Sequence, residues 1–238
     1  MAPYDYFNKH SVLIISNGVH SNILLTPLQP INTLLTLTGM NSKQLNITST
    51  IAKIVERDSK KKSNYFGYSA WTHHIKVVAD LSVKLAKKVK ADCEIVELAA
   101  YLHDYSAIID AKKFYPEHHL HSARLAEDIL KKLNYPKNRI DLVKHCILTH
   151  RGSVVRKRET IEAECLASAD AMSHITELAD MMYLAYGVHK MKTVEGAKFV
   201  LGKMERSWNK LMPEAKAMIR NDYRVARKIL KCSIRNKW

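Results

Sequence analysis

Apolar residues recur at helical spacing through most of this chain, and that pattern constrains the fold more than any other feature. From about Asn46 onward, apolar side chains repeat every three or four residues, and no alternating segment of useful length competes with them. The 238 residues include 7 Gly and 6 Pro, which is too few for a turn-rich β-sandwich. The sequence therefore predicts an all-α domain.

The spacing predicts a bundle of about seven to eight helices. The predicted segments are residues 47–54, 69–90, 93–103, 117–133, 138–150, 159–186 and 193–211, followed by a last helix that begins at Pro213. Proline is favoured at the first position of a helix because its missing N–H has no intrahelical partner there.

Residues 1–40 differ from the rest of the chain because they carry almost no charge. They contain two charged side chains, Asp5 and Lys9, whereas the remaining 198 residues carry 59. A secretory signal needs a basic start and an unbroken apolar run, and neither is present. We expect residues 1–40 to be a poorly ordered or spurious extension, with Met1 and Met40 both open as the start, and residues 41–238 to form a single domain.

The cysteines and the hydropathy exclude several classes of protein. Four cysteines stand far apart and form no Cys-x-x-Cys pair: Cys93, Cys146, Cys165 and Cys232. This spacing argues against a zinc ribbon, a thioredoxin-type motif and a disulfide framework, so we expect a reducing, cytoplasmic compartment. No run of 18 apolar residues occurs, so we expect no membrane partner.

Histidine is the residue type that points to chemistry. The chain has 12 histidines, and eight of them lie between positions 73 and 150. His103 and Asp104 are adjacent at the end of an apolar run, residues 95–102. Borderline divalent metals accept imidazole nitrogen and carboxylate oxygen together, so this pair is a candidate metal site that needs further ligands.

His73 and His74 compete as the next ligand, and the helical period separates them. Steps of 4, 7 and 11 residues from His74 reach only apolar side chains: Val78, Leu81 and Leu85. The same steps from His73 reach a mostly polar face. We therefore expect His74 to point into the bundle.

Other candidate ligands come from separate predicted helices. Asp170 lies among small and apolar residues, where a carboxylate is costly to bury unless it is paired or bound to a cation. His150 shares a helical row with apolar residues, and so do both His118 and His119, which leaves open which of the latter two points inward. Three histidines follow no comparable pattern and are not expected to be ligands: His121, His174 and His189.

The order His74, then His103-Asp104, then Asp170 on successive helices resembles the HD-domain superfamily of metal-dependent phosphohydrolases. The resemblance covers roughly residues 65–180 and is strongest to the small single-domain bacterial HD hydrolases. It implies an HD-type helical bundle. One departure is Tyr105, which stands where many relatives have a small apolar residue.

The resemblance also implies a set of ligands. One divalent cation (Mn, Ni, Co, Fe, Zn or Mg) would be held by His74, His103, Asp104 and Asp170. Asp104 would also be the catalytic residue and would bridge to a second metal or a phosphate, for which the candidate ligands are His118, His119, His145 and His150. The candidate cations for a substrate phosphate are Arg151, Lys76 and Lys144.

The function implied is hydrolysis of a phosphate ester or phosphoanhydride in a small phosphorylated substrate, expected to be a nucleotide, by metal-activated water. The alternatives are a degenerate HD module that senses a ligand and a non-catalytic nucleic-acid-binding protein. The second alternative rests on the basic part 190–238, which carries 14 Lys+Arg against 4 Asp+Glu. Its cations form one helical row: Lys216, Arg220, Arg224, Arg227, Lys231 and Arg235. Few aromatic residues stand between them, so nucleic acid is a weakly supported partner, and the oligomeric state is open.

Overall fold

The computed structural model describes residues 46–152 and 156–235 of the chain. Every regular element in this part is helical, which confirms the predicted all-α class. The expectations for residues 1–40 lie outside the described residues. None of the described helices is both long and apolar enough to pass through a membrane.

The described residues from Ile47 onward belong to one compact unit of helices. In chain order the elements are α1 (Ile47–Ser59), a π-helical turn (Ala70–Ile75) that continues into α2 (Lys76–Val89), α3 (Cys93–Leu102), α4 (Tyr105–Ile109), α5 (Ala111–Phe114), a 3-10 turn (Tyr115–Glu117), α6 (His118–Lys132), α7 (Lys137–Thr149), α8 (Ile161–Thr176), α9 (Leu178–Met182), a second π-helical turn (Tyr183–Val188), α10 (Thr193–Lys210) and α11 (Pro213–Ile234).

Two predicted segments differ from the structure. The single long helix expected over residues 159–186 is interrupted at Glu177, whose backbone (φ −97°, ψ 53°) leaves the helical region and separates α8 from α9. The apolar period continues across this point without a Gly or Pro, so the sequence carries no signal for the break. The connection after α4, expected to be a loop, contains α5 and the 3-10 turn.

Side-chain caps set where the important helices begin. Asp92 precedes α3 and its carboxylate accepts hydrogen bonds from the backbone N–H groups of Glu94 and Ile95, at 3.0 and 3.1 Å. Thr160 precedes α8, and its hydroxyl accepts from the N–H of Ala163 at 3.2 Å. These caps satisfy N–H groups that have no partner within the helix, and so fix the starts of two helices that lead to the candidate site.

Helix α8 is central to the packing. It is buried along nearly its whole length and packs against α2, α3, α7, α10 and α11. Small side chains lie just before its buried carboxylate, Asp170: Ala167, Ser168 and Ala169. Because small residues let neighbouring helices approach closely, a residue at this point of α8 reaches side chains from several helices.

Helix α11 carries the amphipathic pattern predicted for the basic C-terminal part. Three apolar residues of the predicted row are buried: Ile219, Ala226 and Leu230. Arg220 and Arg224 are exposed on the other side. The ring of Tyr223 stacks on Trp208 with centroids 4.2 Å apart, so one of its faces is covered by the protein itself. Nucleic-acid binding by this helix stays a prediction, which the covered ring does not favour.

A buried carboxylate ties α1 to the residue that follows Asp104. Asp58 is 2% exposed and accepts a hydrogen bond from the hydroxyl of the buried Tyr105 at 2.5 Å. Its other partners are Arg57 and Lys61, at 3.1 and 2.7 Å. Burial alone would raise the pKa of the Asp58 carboxyl, but these donors outweigh burial and lower it. The network explains why an aromatic residue follows Asp104 in this chain.

We expect Tyr105→Phe to lower the free energy of unfolding by about 2 kcal/mol, because it removes a buried hydrogen bond to a charged group. Tyr68→Phe is the matched control, since the Tyr68 hydroxyl also donates to a carboxylate, Glu56, but at an exposed position. The control should cost under about 0.5 kcal/mol. Urea unfolding followed by circular dichroism measures both values, and equal costs would contradict this account of the Asp58 network.

Candidate metal centre

The two carboxylate oxygens of Asp104 face two different pairs of histidines. Oδ2 lies 3.5 Å from Nε2 of His74 and 3.6 Å from Nε2 of His103. Oδ1 lies 3.3 Å from Nε2 of His118 and 3.7 Å from Nε2 of His150. The pairs come from four places in the chain: the first π-helical turn, the end of α3, the start of α6 and the end of α7. Asp104 is therefore the point at which these elements meet.

Three of these histidines are oriented by the same backbone contact. In each, Nδ1 bonds the carbonyl oxygen three residues earlier in the chain: His103 to Ala100 at 2.7 Å, His118 to Tyr115 at 2.8 Å and His150 to Ile147 at 2.6 Å. A carbonyl only accepts, so the ring proton lies on Nδ1 and the Nε2 lone pair points towards Asp104. Metal-binding histidines are commonly held in this way.

His74 is held by a side chain of α8 instead. Its Nδ1 lies 3.1 Å from Oγ of Ser173, and that hydroxyl donates to the carbonyl of Asp170 at 2.8 Å, so it accepts from His74. The π-helical turn that carries His74 leaves His73 exposed. The prediction that His74 rather than His73 points inward is confirmed. Single π-helical turns are frequent at functional sites.

We call Asp104 and the four histidines around it the Asp104 cluster. Asp170 contacts this cluster with one carboxylate oxygen and a lysine with the other. Its Oδ2 accepts from Nζ of Lys210 at 2.7 Å, and Lys210 also donates to the carbonyl of His150 at 3.0 Å. Its Oδ1 lies 3.9 Å from Nε2 of His74 and 3.6 Å from Nε2 of His174. Burial would raise the pKa of the Asp170 carboxyl, but Lys210 and the histidines hold it well below its usual range. Asp170 is therefore an anion, with Oδ1 turned towards the cluster.

The donor set fits a bound cation. Among the described residues, Oδ1 of Asp104 is a buried oxygen that receives no hydrogen bond. The Nε2 atoms of His74 and His103 lie only 3.2 Å apart, and with both ring protons on Nδ1 their lone pairs oppose each other. A positive charge between them, either a proton on His74 or a metal ion, removes this conflict.

Within the part of the chain that the structure describes, three groups of side chains each place their ligand atoms within 4.8 Å of one another. The groups are His74 with His103 and Asp104; His74 with Asp170 and His174; and Asp104 with His118 and His150. Mixed nitrogen and oxygen donors suit divalent transition metals.

Burial keeps two imidazoles beside Asp104, those of His103 and His150, in the neutral form that binds metals. Burial, together with the neighbouring His103, lowers the pKa of His150 to about 3. Burial also lowers the pKa of His103 itself. Neutral imidazole is the ligand form, so metal binding at these two rings does not have to displace a proton at neutral pH.

The geometry distinguishes His118 from His119. His118 faces Asp104, whereas the ring of His119 lies 5.9 Å from that of His118 and is not among the groups that surround Asp104. Burial, together with His118 and the nearby Arg151, lowers the pKa of His119 to about 4. Because consecutive residues on a helix point in directions about 100° apart, only one of the two can face the carboxylate.

Three other candidates do not reach the cluster. Nε2 of His145 accepts from the backbone N–H of Glu159 at 3.0 Å, so its ring is engaged elsewhere. Lys144 forms an ion pair with Glu127. Lys76 is exposed, because it stands two residues beyond His74 and so points away from the inward face of the helix. The fourth candidate cation, Arg151, donates to the carbonyl of Pro116 in the 3-10 turn that precedes His118.

Three residues near the cluster were not expected there: His174, Lys203 and Lys210. His174 lies one helical turn after Asp170, and its ring stacks on His74 with centroids 5.6 Å apart. Burial lowers the pKa of Lys203, which also interacts with the charges of Asp170 and Lys210. The spacing of these residues could have indicated their positions. His174 follows Asp170 by four residues, and Lys203 and Lys210 lie seven apart on α10, so each pair shares one face of its helix.

We expect the metal-free protein to depend more on Asp170 than on Asp104 for stability. Asp170→Asn leaves the ammonium group of Lys210 buried without its counter-charge, which should cost about 3 to 5 kcal/mol. Asp104→Asn removes a carboxylate that, within the described residues, forms close charge pairs with histidines and none with a lysine or arginine, so it should cost clearly less. Denaturant unfolding in excess chelator at neutral pH measures both, and an equal or greater cost for Asp104→Asn would contradict this assignment.

The sequence of this chain is similar to a known protein family and to a protein of another organism. The family model of the HD domain matches residues 71–175. An uncharacterized protein of Bacillus subtilis, YpgQ, is 34% identical over 107 residues, which are 43% of this chain and 50% of YpgQ. The match therefore spans half the length of that relative.

Solved structures share the fold. The Lin1889 protein from Listeria innocua superimposes with a TM-score of 0.60 at 18% identity, over 81% of this chain and 95% of Lin1889. The Bacillus subtilis YpgQ structure described as a complex with ADP superimposes with a TM-score of 0.58 at 22% identity, over 78% of this chain and 94% of YpgQ.

The matched segment begins at the buried Trp71 of the first π-helical turn and ends at Ile175 in α8. It includes His74, the His103-Asp104 pair and Asp170 in the order that the sequence suggested. Residues 71–175 of this chain therefore match the HD domain, the domain of a superfamily of metal-dependent phosphohydrolases.

Proposed function

We propose that this chain is a metal-dependent phosphohydrolase that acts on a small phosphorylated substrate, a nucleotide, at the Asp104 cluster. The observation that carries the proposal is the position of the Asp104 carboxylate. It is surrounded by four imidazole Nε2 atoms, and one of its oxygens receives no hydrogen bond. Although the Asp104 side chain is 27% exposed, its Oδ1 atom is buried, and a buried carboxylate oxygen without a hydrogen bond is stabilised by a cation nearby.

The residues divide into two candidate metal positions. His74, His103, Asp104 and Asp170 would hold the first ion, and Asp104, His118 and His150 would hold the second, so Asp104 would bridge them and serve as the catalytic residue. When bound, such ions would supply a Lewis acid for the phosphoryl oxygen and lower the pKa of a coordinated water.

The remaining side chains position this set. Lys210 holds Oδ2 of Asp170, which turns Oδ1 towards His74. The same ammonium group bonds the carbonyl of His150 and so links α10 to the end of α7. The Nδ1 hydrogen bonds of the histidines keep their Nε2 atoms pointing inward, which removes the entropy cost of ordering them when substrate binds.

The substrate class follows from charge and from one relative. The chain has a formal net charge of +15, and Arg151, Lys203 and Lys210 lie close to the cluster, which favours a phosphorylated anion. The YpgQ structure is described as a complex with ADP. That match is 22% identical and shows only a shared fold, so the nucleotide substrate is part of our proposal.

We expect His74→Ala and Asp104→Ala to lose both metal binding and hydrolysis. A ligand contributes at least as much as the groups that orient it, so the affinity for Mn²⁺ should fall by at least about tenfold to a hundredfold. Calorimetric titration of chelator-treated protein with Mn²⁺ measures the affinity, and phosphate release from a panel of nucleotides with Mn²⁺, Ni²⁺, Co²⁺ and Mg²⁺ measures the activity.

His73→Ala is the matched control because His73 precedes His74 but is exposed. It should keep both the affinity and the activity of the unmodified chain. Protein that carries no metal after purification and releases no phosphate with any added ion would refute the proposal, and so would an Asp104→Ala variant with undiminished activity.

A further inference from the structure

Three aromatic rings form a row that begins beside the Asp104 cluster. We call Tyr65, Phe66 and Tyr115 the aromatic row. The centroids of Tyr65 and Phe66 are 5.3 Å apart, and those of Phe66 and Tyr115 are 5.7 Å apart. The ring of Tyr115 lies 5.7 Å from that of His118, whose Nε2 is 3.3 Å from Oδ1 of Asp104. The row therefore starts one ring away from the cluster.

The aromatic row is exposed at both ends. Tyr65 is 41% exposed and Tyr115 is 36% exposed, and Phe66 between them is half-buried. Rings that served only to fill the core would be buried, because burial of aromatic surface is where their stabilising free energy comes from. A line of exposed rings beside a polar cluster is typical of a surface that receives a ligand.

The loop that presents two of these rings is held in one conformation. Asn64 is 6% exposed, and its Nδ2 donates to the carbonyls of Ser59 and Gly67 at 3.0 and 2.8 Å. Its Oδ1 accepts from the backbone N–H of Phe66 at 3.1 Å. Gly67 has φ +74°, a conformation that favours glycine and that lets the chain turn here. The buried side chain of Asn64 thus fixes a loop that carries one exposed and one half-buried ring, which reduces the entropy cost of binding.

The third ring is fixed by the cluster itself. Tyr115 lies in the 3-10 turn, and its carbonyl accepts from Nδ1 of His118, so the backbone that carries the ring also orients a candidate metal ligand. Arg151 donates to the carbonyl of the next residue, Pro116, and brings a guanidinium group to the same edge. The aromatic row and a cation therefore flank the same side of the cluster.

We propose that the aromatic row is a subsite that stacks the base of a nucleotide whose phosphate lies at the Asp104 cluster. This proposal rests on the proposed function. It assigns a binding site to the base of the nucleotide, which the Asp104 cluster does not contact. Stacking is tolerant of base identity because every base has a π-face, so the subsite selects nucleotides over base-free phosphates rather than one base over another.

Two non-hydrolysable ligands test the subsite: α,β-methylene ADP and methylenediphosphonate, which has the same bridged phosphates but no nucleoside. Calorimetric titration in Mn²⁺ gives the Kd of each for the unmodified chain, Phe66→Leu and Tyr115→Leu. We expect each substitution to weaken binding of the nucleotide analogue by about tenfold and to leave methylenediphosphonate unchanged.

Tyr68→Leu is the control. Tyr68 lies in the same loop and is 40% exposed, but its hydroxyl bonds Glu56 on α1, away from the row. It should change neither Kd. A loss of affinity for both ligands would mean that the row only supports His118, and no loss for either would mean that the base lies elsewhere; both results overturn the subsite.

The same titrations separate the subsite from the proposed function. If the unmodified chain binds the nucleotide analogue through the row but releases no phosphate from ADP with any metal, the hydrolase proposal fails and the subsite stands. If it hydrolyses phosphoanhydrides but binds both ligands equally well, the subsite fails and the hydrolase proposal stands.

Discussion

The contacts of the Asp104 carboxylate are the constraint on which the candidate metal centre depends, because they join histidines from four separate elements. Its two oxygens face four imidazole Nε2 atoms, and one oxygen has no hydrogen-bond donor among the described residues. Removing a carboxylate oxygen from water without compensation is costly, so positive charge close to Oδ1 stabilises the arrangement. The fixed Nδ1 hydrogen bonds of His103, His118 and His150 keep their lone pairs aimed at that position whether or not a cation is present.

The helices outside the matched segment serve this centre as well. Helix α1 supplies Asp58, which binds the hydroxyl of Tyr105 and so anchors the residue after Asp104. Helix α10 supplies Lys210, which neutralises one oxygen of Asp170 and leaves the other facing the cluster. Helix α8, which packs against several helices of the bundle, is rich in small residues and lets these helices come close enough for their side chains to meet. Residues that lie far apart in the chain thus share one electrostatic environment.

Much of the fold and part of the candidate site were predictable from the sequence, because helical periodicity depends only on residues that are close together in the chain. The all-α class, the inward direction of His74 and the amphipathic α11 follow from residues three and four apart, and the structure confirms all three. The choice between His118 and His119 was not predictable, since both rows are apolar and the deciding contact is the bond to the carbonyl of Tyr115. Lys210 was missed because its partner is 40 residues away, and the break at Glu177 lacks a Gly or Pro to mark it. Contacts between distant segments depend on packing, which periodicity does not describe.

The most direct test of the central claim is anomalous diffraction from crystals of the chelator-treated protein soaked in Mn²⁺. The account predicts anomalous peaks within coordination distance of both Asp104 oxygens, one near His74 and His103 and the other near His118 and His150. A single peak on the His74 side would reduce the centre to one ion. Clear density for the side chains with no peak beside Asp104, or a peak bound only elsewhere, would contradict the claim that this carboxylate organises a metal centre.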